Sequence, residues 1–322
     1  NSLRKNKKKY LEINIDRYKK LLKKCISYGL KKYNINSLIP ITHGSVMVTI
    51  NDKDQVLNCI SDENQYPKLF NKFFKKTVTL SKNTFTPLLP RGHNMFKSIY
   101  FIKKKINSDF RKIKNILLFP QYLSFYLSGK MSLELSYLAN HSYLWDFKRR
   151  KFSSFYEQLG LRNFFPPIVN PFKKIGYLKK KFTENNHQKD ILVYPGCHDS
   201  SGCYYFHKKF NEKKFILIST GTWIISYNSD GKINNKTLNK DILYSLSLNK
   251  FNIPTARYPG GIEFKLLNKK NKILKKIDKK ILNKILLNKD YILPSFFYGG
   301  PYMNTKGKIV VKNPENIKSK KY

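Results

Sequence analysis

The sequence predicts a two-domain α/β chain, on three observations. Residues 46–60 read as strand, turn and strand, with VMVTI and VLNCI on either side of the polar NDKDQ. Two further apolar runs, ILVYPG (191–196) and FILIST (215–220), each lead into a turn of small and polar residues. Between such strands, apolar side chains recur at helical spacing, as at positions 18, 21, 22, 25 and 26. A length of 322 residues normally holds two domains and buries a core without help from disulfides or metals.

In chain order, the 18–26 spacing gives a helix with Gly29 near its end. SLIPI then leads into Thr42-His43-Gly44-Ser45, so His43 lies where the strand–turn–strand unit begins and not inside a helix. Residues 66–90 are irregular and basic, broken by Pro67, Pro87 and Pro90, and 94–106 reads as a helix. An apolar stretch ends at Gly129, and the next segment sets Leu133, Tyr137, Leu138 and His141 at helical spacing, with Glu134 and His141 on adjoining parts of one surface. A short helix over 152–160 precedes the Pro-rich FFPPIVNPF, which halts any helix. After the central pair of turns come a strand-like ILYSLSL, a helical pattern introduced by Gly260-Gly261, and a Lys-studded amphipathic helix over 269–288.

Charge is the most extreme property of the chain: 63 Lys+Arg against 20 Asp+Glu give a formal +43. Such a balance suggests a polyanion partner, but its makeup argues otherwise. Arginine occurs at only eight positions and alanine at two, while Lys, Asn and Ile abound, as an A/T-rich genome dictates. Nucleic-acid modules favour arginine for bidentate contacts and gather their charge on one face, whereas here lysine punctuates every segment. A solvated surface with no specific nucleic-acid role is the expectation. Four cysteines form no disulfide framework, no apolar run approaches the ~20 residues of a membrane span, and no apolar run follows the basic start as in a leader. A reducing, cytoplasmic setting without a membrane partner follows.

The residues themselves leave several roles open. In Gly196-Cys197-His198-Asp199-Ser200-Ser201-Gly202, Asp199 follows a strand and precedes a helix, where it is either an N-cap or a general base facing a cleft. Local sequence favours the cap. Ser219-Thr220-Gly221-Thr222 forms a hairpin tip of hydroxyls, amides and glycine, suited to phosphate oxygens or simply to a tight turn. Cys197, His198, Cys203 and His207 have no zinc spacing, so no metal site is expected.

Taken together, ITHGSVMVTIND, FPQYLSFYLSGKMSLELSYLANHSYLWDF, PPIVNPFKKIGYL, GCHDSSG, STGTWIIS and ARYPGGIEF resemble, in order, the segments of the FGGY carbohydrate kinases. The wording Thr-His-Gly, His-Asp-Ser and Ser-Thr-Gly-Thr-Trp looks most like the rhamnulose- and fuculose-type ketose kinases. The resemblance implies the two-domain actin-like (ribonuclease-H-like) fold, with a sugar-binding part at 1–208 and a nucleotide-binding part at 209–322. It also implies ATP and Mg²⁺ as cofactors and a small sugar as substrate, and it leaves room for a homodimer. Asp199 becomes the general base, His43, Glu63 and His198 line the sugar, Thr220, Gly221 and Thr222 line the γ-phosphate path, and Gly260 and Gly261 approach the nucleotide. The family's opening Asp-x-Gly hairpin has no counterpart ahead of His43, and its second glycine-rich segment has none before KNPENIKSKKY. The fold is therefore expected to be incomplete at both termini. Two alternatives to an active kinase accompany that expectation: a catalytically inactive sugar-binding remnant, and a basic nucleic-acid-binding protein.

Overall fold

A computed structural model describes residues 3–5, 10–67, 70, 83–86, 89, 91–140, 142–183, 190–232, 242–271, 279–288, 291–293 and 308–310. Its main core is built on Met47–Ile50, which runs antiparallel between Val56–Asn58 and Asn115–Leu118. All four residues of this central strand are buried, so its text reads as a continuous apolar run and lacks the alternation of a strand with one wet face. Met95–Lys105 and Phe119–Ser128 pack their apolar sides into the same core. Aromatic rings interlock edge to face there, with Phe96 5.0 Å from Phe155 and Phe85 4.8 Å from Tyr244.

Helix boundaries follow local chemistry. Asn94 accepts the amide of Phe96 and starts Met95–Lys105, which Lys103, Lys104 and Lys105 close where the helix dipole favours cations. Ile15–Lys32 runs past the end that Gly29 suggested. Ile35 occupies the space where a Cβ at Gly29 would sit, and the Tyr33 amide closes the last turn on the Gly29 carbonyl. Two other expected helices are shorter than their periodicity implies. Leu135–Ala139 is a single turn because Glu134 caps it and Asn140 is already extended, so Glu134 does not lie on a long helix surface. His141 lies outside the described residues. Phe152 belongs to a short strand with Trp145–Asp146, leaving Ser154–Gln158 as the helix. Residues 269–271 end the helix Gly260–Asn271, Lys279–Asn288 is a second helix, and 272–278 lie outside the described residues.

Two parallel pairings cross the chain. Ser37–Leu38 pairs with Leu192–Val193, and Ile41–Thr42 pairs with Cys197–His198. Downstream, an antiparallel sheet has the order Ile216–Ser219, Ile224–Asn228, Asn252–Tyr258, Leu243–Leu246. Tyr244 and Leu246 of its last strand are buried in the main core, which joins the sheet to the first part of the chain. Helix Asp199–Phe210 lies on the opposite side of this junction, with Tyr204 against Tyr227 and Ile253. Among the described residues no helix is long and apolar enough to cross a membrane.

Candidate functional site

The parallel register Thr42↔His198 brings two strand ends side by side, so His43 and Asp199 leave adjacent strands at the same edge. Neither neighbour is accidental. The backbone enters the second strand through Gly196, whose φ of +81° and whose absent Cβ, only 2.5 Å from the Pro40 carbonyl oxygen, exclude other residues. Gln121 donates from Nε2 to the carbonyls of Pro195 and Gly196, both at 3.0 Å, and the Ser124 hydroxyl donates to those of Tyr194 and Pro195, both at 2.9 Å. Helix Phe119–Ser128 thus holds the turn by its main chain.

Asp199 is the first residue of its helix, and His198 occupies the cap position, so the cap favoured by local sequence is not what the carboxylate does. Its Oδ1 accepts from the Ser200 amide at 2.6 Å and the Ser200 hydroxyl at 3.2 Å, and lies 3.3 Å from His198 Nε2. The side chain is 53% exposed. His198 by contrast is buried; burial, assisted by the nearby His43, pushes its pKa down against the pull of Asp199 and keeps the ring neutral.

The His43 turn is fixed from below by Tyr137. The phenolic oxygen accepts the Val46 amide at 3.1 Å, and its proton is shared between the carbonyls of His43 and Val46, each 3.0 Å away. Gly44 lies over His198, where a Cβ would come within 2.9 Å of Nε2. His43 itself is exposed beside the Phe119 ring. Glu63 is exposed too, and its carboxylate takes no hydrogen bond among the described residues. Its neighbour Asp62 pairs instead with His93 at 3.6 Å. Burial works to raise the Asp62 pKa, but the His93 hydrogen bond and the nearby His43 override it and hold the carboxyl below its usual value.

The second cluster forms at the hairpin. Ile216–Ser219 and Ile224–Asn228 leave Thr220, Gly221 and Thr222 exposed at the tip. Pairing of Ile224 with Tyr258 carries Gly260 and Gly261 to the same end of the sheet. The Gly261 amide donates to the Gly221 carbonyl at 3.2 Å, and a Cβ on Gly261 would lie 2.5 Å from that oxygen. Arg257 stacks over Trp223 at 5.4 Å just behind the tip. All five residues assigned from sequence to phosphate and nucleotide therefore converge.

Four contributors escaped the sequence reading: Tyr137, Asn140, Asp62 and His93. Asn140 is buried behind the first cluster, 3.3 Å from His198 Nδ1 and 3.1 Å from the Ser201 hydroxyl. No local motif marks any of them. Among the described residues no three His, Cys, Asp or Glu side chains group to hold a metal ion.

Comparison with known proteins bears on the fold and family. Residues 212–322 match the family described as carbohydrate kinase FGGY, C-terminal domain. A rhamnulokinase of Halalkalibacterium halodurans is 23% identical over 211 residues, which cover 63% of this chain and 43% of that protein. The chain thus spans less than half the length of that relative. A carbohydrate kinase from Novosphingobium aromaticivorans superposes with a TM-score of 0.82 at 22% identity, over 96% of this chain and 68% of the other. A ligand-bound xylulose kinase from Lactobacillus acidophilus gives 0.75 at 14% identity, over 96% and 66%. The chain is FGGY-family-like: residues 212–322 match that family's C-terminal domain, and the described residues have the α/β actin-like sugar-kinase fold.

Proposed function

We propose that the protein transfers the γ-phosphate of ATP to a hydroxyl of a ketose of the rhamnulose, fuculose or xylulose type, with Asp199 as general base. The observation that carries this reading is the parallel register that sets His43 and Asp199 at one edge. A sugar bound there by His43 and bordered by His198 presents a hydroxyl to Asp199, with Glu63 as a further ligand. The carboxylate takes the hydroxyl proton as the oxygen forms its bond to the γ-phosphorus, the bond to the β-phosphate oxygen breaks, and ADP leaves. Positioned proton transfer of this kind contributes about 10²–10⁴-fold.

On the nucleotide side, Thr220, Gly221 and Thr222 offer hydroxyls and amides to the phosphates. Gly260 and Gly261 keep that approach open, since the space a Cβ at 261 would take is already filled by the Gly221 carbonyl. Mg²⁺, bound with ATP, would neutralise phosphate oxygens, held mainly by those oxygens and water. Residues 1–208 thus serve the sugar and 209–322 the nucleotide. Four free cysteines suit a reducing cytoplasm.

The test is a coupled ADP-release assay on a panel of ketoses and polyols with wild type and Asp199→Asn. Turnover of one ketose, lost by at least about 10²-fold in the variant with sugar affinity retained, supports the reading. No turnover of any sugar by the wild type, with sugar binding seen by calorimetry, would identify a binding protein instead.

A further inference from the structure

Asn140 sits at the centre of a buried ring of hydrogen bonds whose direction is fixed by one main-chain donor. The Leu246 amide donates to Asn140 Oδ1 at 3.2 Å, and an amide N–H has no other role to play. That orients the carboxamide and turns Nδ2 toward His198 Nδ1 at 3.3 Å and the Ser201 hydroxyl at 3.1 Å. Ser201 spends its own proton on the Leu246 carbonyl at 3.4 Å, so its oxygen is free to accept. Both protons of Nδ2 are then used, and Nδ1 of His198 must accept. The remaining proton of a neutral imidazole lies on Nε2, which faces Asp199 Oδ1 at 3.3 Å.

We propose that Asn140 is a positioning residue for Asp199: it locks His198 in the Nε2–H tautomer, so that an N–H and not a lone pair borders Oδ1 of the carboxylate, 3.3 Å away. The three contacts of Asp199 all fall on Oδ1, the others being the amide and hydroxyl of Ser200. Among the described residues nothing bonds Oδ2, which is left to accept a proton. The opposite tautomer would set an Nε2 lone pair beside the carboxylate and repel it from this position. Because the ring also includes the Leu246 main chain, the orientation of the base is tied to the innermost edge of the hairpin sheet. The role rests on the kinase reading above, but the tautomer does not.

The experiment is long-range ¹H–¹⁵N NMR of histidine-labelled protein, with the His198 signals assigned by their loss in His198→Gln. At neutral pH the wild type should show Nδ1 unprotonated and Nε2 protonated. Asn140→Asp is isosteric and keeps an acceptor for Leu246, but it presents an acceptor to Nδ1, which should become protonated. A protonated Nδ1 in the wild type, or an Nδ1 unchanged in Asn140→Asp, overturns the inference. With the turnover assay, Asn140→Asp should lower kcat by about 10²–10⁴-fold while KM for the sugar stays within about twofold. A kcat near that of the wild type with the proton moved refutes the positioning role. If no sugar is phosphorylated by the wild type, the kinase reading falls, and the ring-nitrogen shifts still decide the tautomer.

Discussion

Replacing Tyr137 by Phe removes a single oxygen that serves three main-chain groups of the His43 turn. Val46 is fully buried, so its amide would lose its partner with no water to replace it. An orphaned buried N–H costs about 1–3 kcal/mol, and loss of the donor shared by the His43 and Val46 carbonyls adds about 1 kcal/mol. The packing of the ring is retained, so no cavity contribution of note arises. A total loss of about 2–4 kcal/mol is expected, read as a lower urea midpoint with unchanged slope. Exchange of the Val46 amide should accelerate in parallel, which ties the loss to this bond and not to a distant one. A stability change below about 0.5 kcal/mol, the range of ordinary surface substitutions, would refute the reasoning. It would mean that the turn is held by its flanking strands alone.

Other predictions address the remaining parts of the site. Gly261→Ala forces the Gly221 carbonyl away from a Cβ placed 2.5 Å from it; ATP affinity by calorimetry should fall at least about tenfold with sugar affinity retained, and unchanged ATP binding would separate this glycine from the nucleotide. Asp62 has a depressed pKa in the folded state, so its contribution to stability is present above the usual carboxylate value and is lost as pH falls through the folded one. The difference in melting temperature between wild type and His93→Leu should therefore be present just above the usual carboxylate value and shrink below about pH 4. A difference that stays constant down to about pH 3 would show that the Asp62–His93 pair is not its source.

Much of the site was legible because its parts are local. The hairpin around Gly221 announces itself by two apolar runs and a tip of small residues, and the strand-to-helix turn at Asp199 by the same logic. What joins them is not local. Nothing in the text states that Thr42 pairs in parallel with His198, yet that register alone makes His43 and Asp199 neighbours. Tyr137 reads as an ordinary member of a helical pattern and Asn140 carries no motif, and their roles appear only when residues 58 to 106 positions away arrive. Asp62 lies beside the glutamate that the family resemblance suggested; burial and the approach of His93 distinguish the two, and neither has a sequence signature. The helical pattern read over 133–141 is shortened for a local reason: the capping carboxylate of Glu134 accepts the Ser136 and Tyr137 amides, starting the helix later than periodicity suggests.

The clamp that Gln121 and Ser124 place on residues 194–196 reads carbonyl oxygens and ignores side chains. Mutational freedom is consequently distributed unevenly around it. A chain drifting toward Lys, Asn and Ile can exchange Tyr194 or Pro195 and still offer the same acceptors. Gln121, Ser124 and Gly196 have no such latitude, because two supply the donors and the third alone fits against Pro40. Compositional drift of the kind written throughout this sequence is thus steered away from the approach to Asp199 by the chemistry of the main chain itself.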